Sequence, residues 1–129
     1  AVSFDDGWYE PDVLPPIARW MSQSGRIRFQ ANSLSEISLD LTTHMPDVRE
    51  RPLMLEFLLN GALVATLGLY RNGWLNLRLF VPESAAETTG GNFEIEIRAD
   101  RTWQPRPTDD ETRDDRDISI AVCNIQIIN

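Results

Sequence analysis

The sequence predicts an all-β protein, an antiparallel β-sandwich or jelly roll of about seven to nine short strands. Two observations carry this. Apolar and polar residues alternate with a period of two along most of the chain, and turn-forming residues separate the alternating runs. No window of helical length sustains a 3.6-residue period, which excludes a helical bundle or an α/β fold.

Taken in order, Arg26-Ile27-Arg28-Phe29-Gln30 places Ile27 and Phe29 on one face and the polar residues on the other. Ile37, Leu39 and Leu41 alternate with Ser38 and Asp40, and Leu53, Leu55, Phe57 and Leu59 with Met54, Glu56 and Leu58. Asn60-Gly61 follows directly and precedes a second apolar run over 62–67, the pairing that most strongly marks a β-hairpin. Asn72-Gly73 marks another turn before a strand in which Leu75, Leu77, Leu79 and Val81 share a face. Ser84 to Thr89 has room for one helical turn, and Gly90-Gly91-Asn92 introduces the strand of Phe93, Ile95, Ile97 and Ala99. Pro11, Pro15 and Pro16 break up the first loop, as Pro46 and Pro52 do a later one. Segment 105–117 is polar throughout and is expected to be a long exposed loop. In the last strand Ile118, Ile120 and Val122 share one face while Ile125 and Ile127 fall on the other, so a β-bulge near Cys123-Asn124 is required to keep both sets in the core.

Composition limits the chemistry. The 129 residues allow one domain, read here as 1–129, and a first residue other than Met suggests a piece of a longer protein. Twelve basic residues against twenty acidic ones give a net charge of −8, a poor match for nucleic acid or an anionic membrane surface. Every basic residue is Arg, which removes lysine nucleophiles, and no apolar run approaches the roughly 20 residues that span a bilayer. A single Cys, Cys123, has no internal disulfide partner and reads as a small buried hydrophobe; a single His, His44, reads as a loop residue. No cofactor is implied. The one candidate metal is a structural Ca²⁺ on Asp109, Asp110, Glu111, Asp114, Asp115 and Asp117, a minor option because two arginines interrupt that run and a solvated acidic loop explains it better.

Catalysis has little to stand on. Glu94 and Glu96 lie on one strand face, about 7 Å apart by strand geometry, within the range of a glycosidase pair. Catalytic carboxylates come from separate elements around a cleft, however, and Glu-x-Glu on a solvated face is ordinary. The aromatic residues are more informative: Trp8, Tyr9, Trp20, Trp74 and Trp103 all fall at strand ends or beside turns. Trp74 shares the outward face of its strand with Asn76 and Arg78. An exposed ring beside planar polar groups suits a sugar, whose apolar face stacks while its hydroxyls hydrogen-bond. Trp8 and Trp20 are expected to be structural, and Trp74 to be the exposed ring.

Three segments carry a resemblance: Gly7-Trp8-Tyr9-Glu10-Pro11, then Arg19-Trp20-Met21, then Thr102-Trp103-Gln104-Pro105 leading into Asp114-Asp115-Arg116-Asp117-Ile118. Together they resemble an accessory β-sandwich module, similar to galactose-binding and carbohydrate-binding modules, found fused to bacterial polysaccharide glycosyltransferases. Trp103 stands where that pattern often has Phe, and Ile118-Ser119 where it often has Leu-Gly. The resemblance implies a non-catalytic module that recognises a carbohydrate or docks on the rest of a parent enzyme. It implies a second candidate surface, a loop edge of Trp8, Arg19, Trp20, Trp103 and Asp117, with Arg19 paired to Glu10 or Asp117. The alternative is a docking or oligomerisation module that binds no sugar, with Met54, Leu58 and Phe80 as its exposed apolar residues.

Overall fold

In the computed structural model the described residues are 2–14, 16–86, 89–105 and 116–129. They form ten strands: β1 (Ser3–Phe4), β2 (Asp12–Val13), β3 (Ile17–Trp20), β4 (Ser24–Gln30), β5 (Glu36–Thr42), β6 (Leu53–Leu59), β7 (Ala62–Leu69), β8 (Leu75–Phe80), β9 (Asn92–Ala99) and β10 (Ala121–Ile128). A single turn of α-helix, α1 (Glu83–Ala86), falls in the one stretch expected to allow it. The strands make two five-stranded antiparallel sheets, ordered β1-β4-β9-β6-β7 and β2-β3-β10-β5-β8. The all-β sandwich read from the alternation is therefore the observed fold. Its strand count exceeds the expected range through β1 and β2, two-residue strands too short to register as alternation.

Between the sheets lies the core that the apolar phases call for: Ile27 and Phe29, Ile37 to Leu41, Leu53 to Leu59, and Phe93 to Ala99 in alternation. Asn60 (φ 49°) and Gly61 (φ 87°) make the β6–β7 hairpin with both central residues left-handed, the backbone that a right-twisted pair of strands requires. The bulge in β10 also falls where it was expected. Pairing with β5 shifts register between Cys123 and Gln126, and Asn124 adopts φ 52°. Ile120, Val122, Ile125 and Ile127 consequently all pack on the main core, whereas Ile118, expected on the face of Ile120 and Val122, packs in a separate cluster with Trp20 because it lies ahead of the strand, paired with Trp103.

One apolar expectation is corrected. Leu58 lies on the outward face of β6, opposite Glu96 and Leu63, as alternation requires, but its side chain is buried there rather than exposed. Met54 and Phe80 are exposed as expected.

A smaller second cluster lies on the opposite side of the β3–β10 pair. Ala121 registers with Trp20, while Val122 registers with Arg19 and belongs to the main core. Alternation thus turns Trp20, Ala121 and Cys123 to the outside of the second sheet, where they are buried with Ala18 and Ile118 beneath Tyr9, Leu14 and Trp103. Buried hydroxyls there are satisfied: Ser119 Oγ donates to Ser22 O at 2.6 Å and Thr43 Oγ1 to Ser119 O at 2.8 Å.

Candidate functional site

The loop-edge residues come close in space but divide between two sides of the second sheet. Isolated bridges pair Trp8 with Met21 and Trp103 with Ile118, and the two ends of the chain converge where β3 pairs with β10 and Met21 N–H donates to Ile120 O at 2.8 Å. Within that convergence Trp8 is built into the main core. Its ring meets Phe4 edge-on at 5.1 Å and its Nε1 donates to Arg26 O at 3.1 Å. It covers Gly25, where an added Cβ would come within 2.6 Å of the indole. Trp20 is buried at 4% exposure, with the His44 ring edge-on to it at 4.9 Å. Both rings are packed into the fold, Trp8 against the main core and Trp20 in the outer cluster.

Arg19 does not make the ion pair expected of it. It faces the same side as Val122, with its guanidinium 4.9 Å from the centre of the Phe4 ring and one nitrogen donating to Tyr9 O at 3.3 Å. The ion pair of this region is Arg116 with Asp12, at 3.1 Å, and Arg116 also lies 5.3 Å over the Tyr9 ring. Asp117 accepts from Gln104 Nε2 at 2.9 Å, and its backbone carbonyl accepts from Tyr9 OH at 3.0 Å. Trp103, His44 and Trp20 line a shallow cleft with Asp12, Leu14 and Ile118. Most polar groups of this edge are thus committed to holding loops together. Of the acidic run suggested for Ca²⁺, Asp109, Asp110, Glu111, Asp114 and Asp115 lie outside the described residues, as does most of the expected loop over 105–117. Among the described residues no group of three or more His, Cys, Asp or Glu is placed to hold a metal ion.

The Glu94–Glu96 pair sits on the outer face of the first sheet, and each carboxylate is held by arginine: Glu94 by Arg28 at 2.9 Å, Glu96 by Arg98 at 3.1 Å. Asp5 approaches the same Arg28 nitrogen at 2.8 Å. Next to these, Gln30, Asn60 and Asn92 line a broad polar depression with Ser3. The sequence reading did not single it out, because its parts come from four separate segments.

Trp74 directly precedes the edge strand β8, which carries Asn76 and Arg78 and, among the described residues, pairs only with β5. Trp74 is 40% exposed, and Asn76 and Arg78 are exposed beyond it along the strand. Their polar groups are fixed from below by β5. Asn76 Nδ2 donates to Asp40 Oδ1 at 2.8 Å and to Ser38 Oγ at 3.3 Å. Arg78 grips the buried Glu36 with two nitrogens, one at 3.0 Å. On the far side of β5, Asn124 in the β10 bulge donates to Asp40 Oδ2 at 2.9 Å. The Asn124 and Asn76 amides hold the Asp40 carboxyl below the usual carboxylate range, outweighing its partial burial. Each contact uses the donor end of an amide, so the carbonyl oxygens of Asn76 and Asn124 are left as acceptors for solvent or ligand. Arg78 likewise keeps one terminal nitrogen. The supporting set of Glu36, Asp40 and Asn124 was not foreseen. Only the pairing register places those residues, and Asn124 is 84 positions from Asp40.

No family model matches the chain, and no curated protein sequence does. Among solved structures, the chain is similar to a family 35 carbohydrate binding module from an environmental isolate, with a TM-score of 0.53 and 14% identity over 99% of this chain and 93% of that one. It also aligns with a CBM36 carbohydrate-binding module in complex with calcium and xylotriose (TM-score 0.45, 12% identity, 97% and 93% covered). A family 35 module from Clostridium thermocellum aligns with a TM-score of 0.42 and 8% identity, covering 94% and 89% of the two chains. At these identities the likeness is one of fold, and the first match alone carries it: this chain is a β-sandwich similar to that module over nearly the whole length of both.

Proposed function

We propose that the chain is a non-catalytic carbohydrate-binding module whose site is the outer face of β8, accessory to a polysaccharide-processing enzyme. The observation that carries this is the exposed Trp74 ring at one end of a row of planar polar groups already held in place by Glu36 and Asp40. A sugar offers an apolar face for the ring and hydroxyls that both donate and accept. The Asn76 carbonyl accepts and the remaining Arg78 nitrogen donates. Groups fixed before binding lose little rotamer freedom when the ligand arrives, which favours affinity for a shallow site. The likeness of fold to a carbohydrate binding module supports the ligand class. Affinities of about −4 to −8 kcal/mol, millimolar to micromolar, are expected. The arginine pairing of Glu94 and Glu96 speaks for a structural role of those carboxylates rather than hydrolysis.

Intrinsic fluorescence, titrated with a panel of bacterial and plant polysaccharides with and without Ca²⁺, tests the reading. A saturable change that Trp74→Ala abolishes is expected. A change that survives Trp74→Ala moves the site to the loop edge, and no response to any glycan refutes sugar binding.

One observation favours a second reading, a docking module. Phe80, 73% exposed, stands on an edge strand with one side unpaired, a surface that another chain can cover. Sedimentation showing association that Phe80→Ala removes would support it.

A further inference from the structure

We infer that the ligand of the β8 face is a neutral, extended oligosaccharide lying along the strand, with Phe80 as a second stacking platform at the far end from Trp74. This rests on the carbohydrate-binding reading above. Asn76, Arg78 and Phe80 alternate within β8 and so share one side of it, and Trp74 directly precedes the strand in the same even spacing. The intervening Leu75, Leu77 and Leu79 turn the other way, and Leu79 is buried in the core. Phe80 is the more exposed of the two rings, at 73% against 40% for Trp74. A large apolar ring so exposed at the end of a polar row has no packing role to explain it.

Six residues separate the rings (80 − 74), a span of roughly 20 Å at the rise of a β-strand. One or two sugar rings cannot bridge that span, whereas a short linear oligomer can. Between the rings, the register sets Asn76 opposite Asp40, Arg78 opposite Ser38 and Phe80 opposite Glu36. The polar groups therefore follow one another along the strand in the order a stretched chain would meet them. The charges of the row are Glu36, Arg78 and Asp40, with Arg78 already taken up by Glu36 and Asp40 kept ionised by two amides. The row is left net negative, in a chain of net charge −8, which disfavours an acidic polymer.

The test is calorimetric titration of the intact chain with β-1,4-linked gluco-, xylo-, manno- and N-acetylglucosamine oligomers of one to six units, and with oligogalacturonates. In the native protein, affinity for at least one neutral series should climb with length and then level off. Phe80→Ala should remove that gain, about tenfold in Kd, which corresponds to one stacked ring. It should leave binding of the shortest ligands unchanged, and Phe80→Tyr should restore the gain. Binding that does not depend on length, length dependence that survives Phe80→Ala, or tighter binding of oligogalacturonate overturns this inference while leaving sugar binding intact. No binding of any oligomer, at any length, overturns both.

Discussion

Gly25→Ala separates a structural Trp8 from a ligand-binding one. Gly25 lies in β4, and an alanine Cβ there would fall 2.6 Å from Trp8 Cε2, 2.7 Å from its Nε1 and 2.9 Å from Met21 Cγ. Real Cβ atoms do not approach so closely, so the indole must lift off the strand. Lifting it breaks the Nε1 bond to Arg26 O and the edge contact with Phe4. The bond is worth about 1 kcal/mol, and the aromatic pair about 0.5–1.5 kcal/mol beyond its buried area. Partial re-exposure of a half-buried ring adds about 1–2 kcal/mol. Against this, replacing glycine in a strand recovers about 0.5–1 kcal/mol of backbone entropy. The balance is a loss of about 1.5–4 kcal/mol, read by urea unfolding at unchanged m. Because the closest contacts are with the Trp8 ring and Met21 Cγ is the lesser one, the cost should fall by more than half when Gly25→Ala is made in a Trp8→Ala background. Glycan binding at β8 should not change. A Gly25→Ala protein as stable as the native chain, or a cost that persists without the Trp8 ring, would refute the packing argument and reopen Trp8 as a ligand contact.

Two further outcomes follow from the titratable groups of the second sheet. The Asp40 pKa is lowered in the folded chain, chiefly by Asn124 and then by Asn76, so its contribution to stability is complete above the unfolded value of about 3.9 and is lost as pH falls through the folded value. Side-chain amide NMR signals of Asn76 and Asn124 should therefore shift together in acid, and Asp40→Asn should abolish the shift, weaken glycan binding and cost about 1 kcal/mol at neutral pH; amides that titrate independently would contradict the shared carboxylate. The Cys123 thiol is raised above its ordinary pKa, first by burial and then by the Asp40 charge, so a thiol reagent at neutral pH should label it only as fast as the chain opens. Immediate stoichiometric labelling of the native protein would contradict that environment.

Periodicity made most of the sandwich legible, and its failures have a common cause. Strands that put aliphatic side chains on one side and polar ones on the other, such as β4, β5 and β9, can be read without knowing their partners. So can the β10 bulge, because a phase break in an apolar series has only that resolution. β3 went unread because both of its sides are occupied. Ala18 and Trp20 pack in the outer cluster, Arg19 takes the inner side, and Ile17 is exposed, so no alternation of polarity survives. Leu58 was misjudged for the converse reason: alternation gives the side it faces, but not that its neighbours cover it there.

The candidate site divides along the same line. Trp74, Asn76 and Arg78 could be named together because they share one strand, and local geometry dictates their common side. What makes that side more than an exposed edge is the layer beneath it. Glu36 and Asp40 on β5 and Asn124 from the bulge fix the direction in which each polar group points. None of these three has a sequence signature, since each acquires its role through pairing across tens of residues. The bulge itself joins the two levels of organisation. The extra residue that keeps Ile125 and Ile127 in the core also carries Asn124 to Asp40, so a device required by packing supplies part of the proposed face. Deleting Asn124 to straighten β10 should accordingly damage both at once: the isoleucines would be expelled from the core, and Asp40 would lose the amide that contributes most to holding it ionised.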